Sequence, residues 1–253
     1  LFQITFLSII NYQLSIIRLS EVQFYKLSTF NFQLLTFIVI LPYKALSHLK
    51  HNYKPVTVKF YLRDSLTVSR ELLGKILIRN TGKKILAAKI VETEAYLGEH
   101  DPASHAYQKI TKRNRVMYER GGLVYVCFIY GNYFCFNLVS GPEGTGNATL
   151  IRAVEPLEGI DEMKKFRGPV KNLHELTNGP AKLCLAMNID SSLYGADATE
   201  SRSIFISKPD KREKPEIITT RRIGLNVGVD FPYRFFIKDN PYVTKHKFNK
   251  EVL

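Results

Sequence analysis

The chain has 253 residues, 45% of them hydrophobic and 23% charged. That is ample for a sizeable core and excludes wholesale disorder. Lysine and arginine exceed aspartate and glutamate by 13, which points to a polyanionic partner, either nucleic acid or an anionic membrane surface. Three cysteines, none in a Cys-x-x-Cys pair, exclude a closed disulfide framework, argue against a structural zinc site and favour a reducing compartment.

Residues 1–55 hold five basic residues and one acid, with no clean period of 3.6 or 2. Their most apolar run, Leu34–Leu41, contains Thr36 and ends at Pro42. It falls well short of the ~20 apolar residues that span a bilayer. The segment reads as an N-terminal extension, poorly ordered and outside the fold, with a targeting sequence as the alternative. The folded domain is expected over residues 56–253. Asp64-Ser65 before Leu66, Val68, Leu72 and Leu73, then Gly74, predicts a capped short helix with a glycine stop. Lys75–Arg79 and Ile85–Thr93 around Thr81-Gly82 predict a hairpin. Leu123–Tyr130 and Tyr133–Ser140 predict a second, joined by a two-residue Gly131-Asn132 turn. Ala148–Val154 reads as a strand, and Pro156 as the opening of a helix with acids early and bases late. Pro180–Met187 reads as another short helix, and Arg221–Val229 and Tyr233–Lys238 as late strands. Strands that come as hairpins predict an α+β class: a single mixed domain around a curved, mostly antiparallel β-sheet, with flanking helices and a protruding β-hairpin.

Two carboxylates stand out in Val91-Glu92-Thr93-Glu94-Ala95-Tyr96. Alternation puts Ile90, Glu92, Glu94 and Tyr96 on one face. Such a face is either the solvated side of an edge strand or a carboxylate poised as a general base beside an aromatic platform. His100 and His105 match no established zinc spacing. The run Lys109–Arg115, with Arg120-Gly121-Gly122 behind it, suits either a solvated loop or phosphate contacts.

In order, the segments VETEAYLGEHDPASHAY, TKRNRVMYERGG, VYVCFIYGNYFCFNLVSGPEG, LIRAVEPLEG, NGPAKLCLAM and RRIGL closely resemble the alkyladenine (3-methyladenine) DNA glycosylase family, the monofunctional base-flipping type. The resemblance runs from about Val58 to about Thr244. It implies that Glu94 is the general base that activates water, with Arg152 and the backbone carbonyl of Ile223 helping to hold that water. It implies a base pocket in which Tyr96 stacks on the flipped base, His105 lines the site and hydrogen bonds, and Asn137 crowds the 2-amino group of normal guanine. Tyr130, at the hairpin tip, would fill the gap left in the duplex, and Lys112, Arg113 and Arg115 would contact the backbone. No cofactor and no metal are implied. The implied partner is double-stranded DNA containing damaged purines, met by a monomer with no membrane attachment. The implied location is the bacterial cytoplasm at the nucleoid, or the nucleus or an organelle in a eukaryote. Cys127 departs from the pattern: it stands where the family strand usually carries an aromatic that stacks opposite Tyr96. A thiol cannot supply that face, and base–aromatic stacking contributes ~1–3 kcal/mol. Lys112, Tyr118 and Asn132 are milder departures.

Two other readings compete. One is a damage-binding protein without useful turnover, motivated by Cys127. The other is a carbohydrate glycosidase using Glu92 and Glu94 as its carboxylate pair.

Overall fold

A computed structural model describes residues 53–129, 131–209 and 214–251. The expected extension up to residue 52 and the expected wedge Tyr130 lie outside the described residues. Ordered pairing begins at once: Pro55 bridges Ser207, and the Val56 N–H donates to the Ile206 carbonyl at 2.8 Å. Two helices follow, α1 (Val58–Tyr61) and α2 (Ser65–Leu72). The α2 N-cap is the expected one, with the Asp64 carboxylate accepting from the Thr67 N–H at 2.8 Å. Gly74 provides the stop with φ of +81°.

The sheet is built from β1 (Ile76–Asn80), β2 (Ile85–Leu97), β3 (Val124–Ile129), β4 (Tyr133–Val139), β5 (Asn147–Glu158), β6 (Ile204–Ser207), β7 (Ile217–Thr220) and β8 (Arg234–Ile237). Its main order is β3-β4-β5-β2-β1-β6, and β8 pairs with β2 and β7. Every pairing among these strands is antiparallel. The expected α+β class, the curved antiparallel sheet, the flanking helices and the hairpin are all present. Two further helices, α3 (Ile160–Arg167) and α4 (Pro180–Ala186), pack with α2 against one face of the sheet, where Val68, Leu72, Met163, Leu183 and Met187 join Ile90, Ile151 and Val154 in the main core. Among the described residues, no helix is long and apolar enough to cross a membrane.

Several local expectations need correction. Pro156 does not open a helix. It lies inside β5 opposite Ala88, at a register shift where its missing N–H is tolerated. The helix starts after Gly159, whose φ is +78°; a Cβ there would lie 2.7 Å from the Ile85 carbonyl oxygen. Most of Arg221–Val229 is irregular, and the strand before it is Ile217–Thr220. The last described pair of the β3–β4 ladder is Ile129–Tyr133. The Asn132 N–H donates back to the Ile129 carbonyl at 3.3 Å, and Gly131 takes φ of +74°.

The correction that matters most concerns β2. It is a central strand, hydrogen-bonded to β5 on one side and to β1 and β8 on the other, so the solvated-edge reading fails. Strict alternation also fails at Ile90. Register shifts interrupt the β2–β5 ladder at Ile90/Glu92 and Glu92/Thr93. Ile90 packs in the same core as Ala95, five positions on, while Val91 packs elsewhere with Ala153 and Phe236. An undisturbed strand sends residues five apart to opposite faces. The irregularity shifts the pleat by one residue. Ile90 therefore faces the helices, while Glu92, Glu94 and Tyr96 face away from them.

Candidate active site

The helix side fixes the strands from behind. The Thr93 hydroxyl donates to the Ser69 carbonyl of α2 at 2.9 Å, and Ser69 Oγ lies 2.8 Å from Thr149 Oγ1 of β5. Ser65 Oγ donates to the Ala148 carbonyl at 3.1 Å. These buried bonds hold β2 and β5 together at the level where their other faces carry Glu94 and Arg152.

Both carboxylates of β2 are fully buried. Glu92 accepts from Arg234 Nε at 2.6 Å and Arg152 Nε at 3.2 Å on one oxygen, and from the Thr244 N–H at 2.9 Å on the other. Burial pushes its carboxyl up, but Arg152, Arg234 and the Thr244 bonds outweigh burial and hold it below the usual carboxylate range. Arg234 is itself tied to Thr220 Oγ1 at 3.1 Å and Asn249 Oδ1 at 2.9 Å. Glu94 accepts from the Ile223 N–H at 3.0 Å on one oxygen. Its other oxygen accepts from the Tyr96 hydroxyl at 2.8 Å and faces Arg152 Nη1 at 3.2 Å. Arg152 thus bridges the two acids. Its guanidinium is raised above the ordinary arginine value, since Glu94 and Glu92 outweigh its burial. Burial, and then the neighbouring Glu94 charge, push the Tyr96 hydroxyl well up.

A cavity of about 350 Å³ lies beside this cluster; Glu94 itself is fully buried and is not among its lining residues. Tyr96, Arg152 and Ile223 line the cavity, and these are the three residues that hold the Glu94 carboxylate. His105, Cys127 and Asn137 line it too, so six of the residues singled out from sequence surround one space. His105 Nδ1 lies 2.8 Å from the Tyr125 hydroxyl. Asn137, buried on β4, donates to the Tyr125 carbonyl at 3.0 Å and lies 3.8 Å from Cys127 Sγ. Lys112, Arg113 and Arg115 are exposed on a loop outside this lining. Arg113 Nη2 donates to the Phe128 carbonyl at 3.0 Å, which fastens the basic loop to the hairpin. The exposed Phe128 and Tyr133 stand near the hairpin end. It is the Ile223 amide that meets Glu94.

Two site features escape the sequence reading. Arg222 and Asp101 form a buried pair, with bonds of 2.5 and 2.7 Å. The Arg222 guanidinium also lies 4.6 Å from the Tyr96 ring centroid and donates to the Ala95 carbonyl at 2.9 Å. This pair backs the Tyr96 platform and anchors the loop that delivers Ile223. Tyr125 supports both His105 and Asn137. The Arg-Arg pair of RRIGL was the available signal, but spacing alone does not say which arginine is buried.

A family model described as methylpurine-DNA glycosylase matches residues 59–241, well over half of the chain. The chain belongs to the methylpurine-DNA glycosylase family. A protein of Carboxydothermus hydrogenoformans named "Putative 3-methyladenine DNA glycosylase" is 48% identical over 187 residues, covering 74% of this chain and 97% of its own. Proteins of the same name from Clostridium perfringens strain SM101 and Clostridium botulinum strain Alaska E43 are 46% and 44% identical, each over 74% of this chain and 97% of their own. The resemblance drawn from the motifs is therefore correct. Membership supports DNA-glycosylase chemistry in general, a hydrolase that acts on DNA.

Proposed function

We propose that this protein extrudes alkylated or deaminated purines from duplex DNA and hydrolyses the N-glycosidic bond, leaving an abasic site. The observation that carries this reading is that all three groups fixing Glu94 also line the cavity. An ionised carboxylate offers about four lone-pair sites, so three neighbours leave about one for a water. Glu94 accepts that water's proton as the water attacks the sugar, and its charge stabilises the positive charge that develops there. Arg152 and the Ile223 carbonyl orient the water from either side.

The remaining roles are those the family resemblance implies. Tyr96 offers a stacking face braced by Arg222. His105 supplies a polar edge, and Asn137 narrows the floor against the 2-amino group of guanine. Extrusion costs a few kcal/mol, least for mispaired or damaged bases. Tyr130 fills the vacated stack, and Lys112, Arg113 and Arg115 hold phosphates beside the hairpin. The protein acts as a monomer and needs no cofactor. The carbohydrate reading is weakened because Glu92, its second carboxylate, is enclosed by Arg234, Arg152 and the Thr244 amide.

The test is base release from duplexes carrying 3-methyladenine, 7-methylguanine, hypoxanthine or ethenoadenine. Expected products are free base and an abasic strand, with no borohydride-trapped adduct. Tight binding of these duplexes with no base released from any would establish the damage-binding reading instead.

A further inference from the structure

Cys127 and Cys135 are directly opposed in the β3–β4 ladder. Opposed residues of an antiparallel pair project to the same face with Cα atoms ~4.5–5.5 Å apart, inside the ~4.4–6.8 Å span of disulfides. Both are free, both are buried and both line the cavity. Both pack in one cluster with Tyr125, and His105 lines the same cavity. The third cysteine, Cys184 of α4, packs in the main core and does not line the cavity. The cavity reaches solvent past His105, which is both exposed and part of its lining.

The two sulfurs are not equivalent. The Cys135 hydrogen bond holds the Cys127 thiol below its ordinary range against burial, and His105 and Arg113 add to the effect. The same bond and burial push Cys135 up. With His105 and Arg113 on its side, Cys127 is assigned as the nucleophile and Cys135 as the resolving thiol.

We propose that Cys127 and Cys135 form a dithiol modification site in the wall of the cavity, one that takes hydrogen peroxide. The Cys127 thiolate attacks one oxygen of hydrogen peroxide, the O–O bond breaks, and the leaving hydroxide takes up the proton that Cys127 gave up on ionising, giving a sulfenic acid on Cys127 and one water. The Cys135 sulfur then attacks Cys127 and expels the sulfenic oxygen, which leaves as water with the Cys135 proton. In total, two thiols give up two electrons and two protons, and one peroxide becomes two waters. The disulfide fastens β3 to β4 across the cavity wall and draws Cys127 away from Asn137. Its effect on base release rests on the function proposed above; the chemistry of the site does not.

The experiment uses the full chain. No lysine or arginine lies between Gly121 and Ile151, so one tryptic peptide, 121–152, carries both cysteines. After brief hydrogen peroxide treatment and alkylation, this peptide should be lighter by two hydrogens and should refuse the alkylating agent. The Cys184 peptide should still be alkylated, and dithiothreitol should reverse the change. The Cys135→Ser variant, deprived of its resolving sulfur, should instead carry Cys127 on to sulfinic acid. Two free thiols in peptide 121–152 of the native sequence, sulfinic acid on Cys127 beside a free Cys135, or a link to Cys184 would each overturn the proposal. Because the readout is mass, a protein inactive on every lesion could still pass it, which separates this failure from failure of the proposed function. If base release occurs and full oxidation leaves it unchanged, the link between this site and the pocket is wrong.

Discussion

The two carboxylates of β2 stand two residues apart on one face, are equally buried and share Arg152, yet they belong to different regions. Glu92 belongs to a closed network. Its partners reach back to Arg234, Thr220, Thr244 and Asn249, knitting the last strand and the C-terminal segment onto the sheet. Glu94 sits behind the cavity: it is not among the lining residues, but Tyr96, Arg152 and Ile223, which hold it, all are. The two acids and the arginines Arg152 and Arg234 balance in charge, so four ionised groups can be buried together. Identical chemistry at adjacent positions of one face is thus divided, in the proposed function, into an anchor and a reactive group by the partners each carboxylate meets.

The largest effect on this comparison should come from Glu92→Gln. It leaves Arg234 and Arg152 short of a counter-charge in a buried site and should cost about 3–5 kcal/mol of stability, read by denaturant titration. The native carboxyl is held below its unfolded value, so its stabilisation is fully present above the ordinary glutamate range and is lost as pH falls through the lowered value. The Gln variant should lack that part of the acid-induced loss; an unchanged acid profile would break the distinction.

On the open side, Tyr96→Phe removes one donor from Glu94 and keeps the ring. A hydrogen bond to a charged group contributes about 1.5–3 kcal/mol, and the loss should fall on the single-turnover rate more than on duplex binding. On the facing hairpin, Cys127→Tyr should add up to ~1–3 kcal/mol of binding by stacking, chiefly for neutral bases such as hypoxanthine. Cys127 already packs against Cys135 and Asn137, so overpacking of similar size is the opposing term. Melting temperature and hypoxanthine release together separate the two. The smallest effect concerns the basic loop: neutralising Arg113 and Arg115 together should flatten the salt dependence of binding by about two units, one per phosphate. An unchanged slope would remove both from the interface.

Much of this was legible from the chain itself. The Asp64 cap and both early hairpins follow from local pattern; that Tyr96, His105, Cys127, Asn137 and Arg152 share one space was implied by the family resemblance the motifs carry. What failed was non-local. The pleat shift at Val91–Glu92 is set by pairing with β5 and by the partners of Glu92 across the sheet, which no window of β2 contains. Pro156 reads as a helix opener because proline suits that position; only the register shift opposite Ala88 makes it acceptable in a strand. The burial of Arg222 depends on Asp101, more than a hundred residues earlier.

The most direct test of the central claim is single-turnover base release by the Glu94→Gln variant on duplex DNA carrying 3-methyladenine and hypoxanthine, with duplex affinity measured on the same preparation. Glutamine keeps the shape but cannot take the proton of water. Release should fall by about 10²–10⁴-fold, the usual contribution of a general base, while binding to the damaged duplex is retained. Release within a few-fold of the native protein would contradict the account and place the reactive group elsewhere in the cavity.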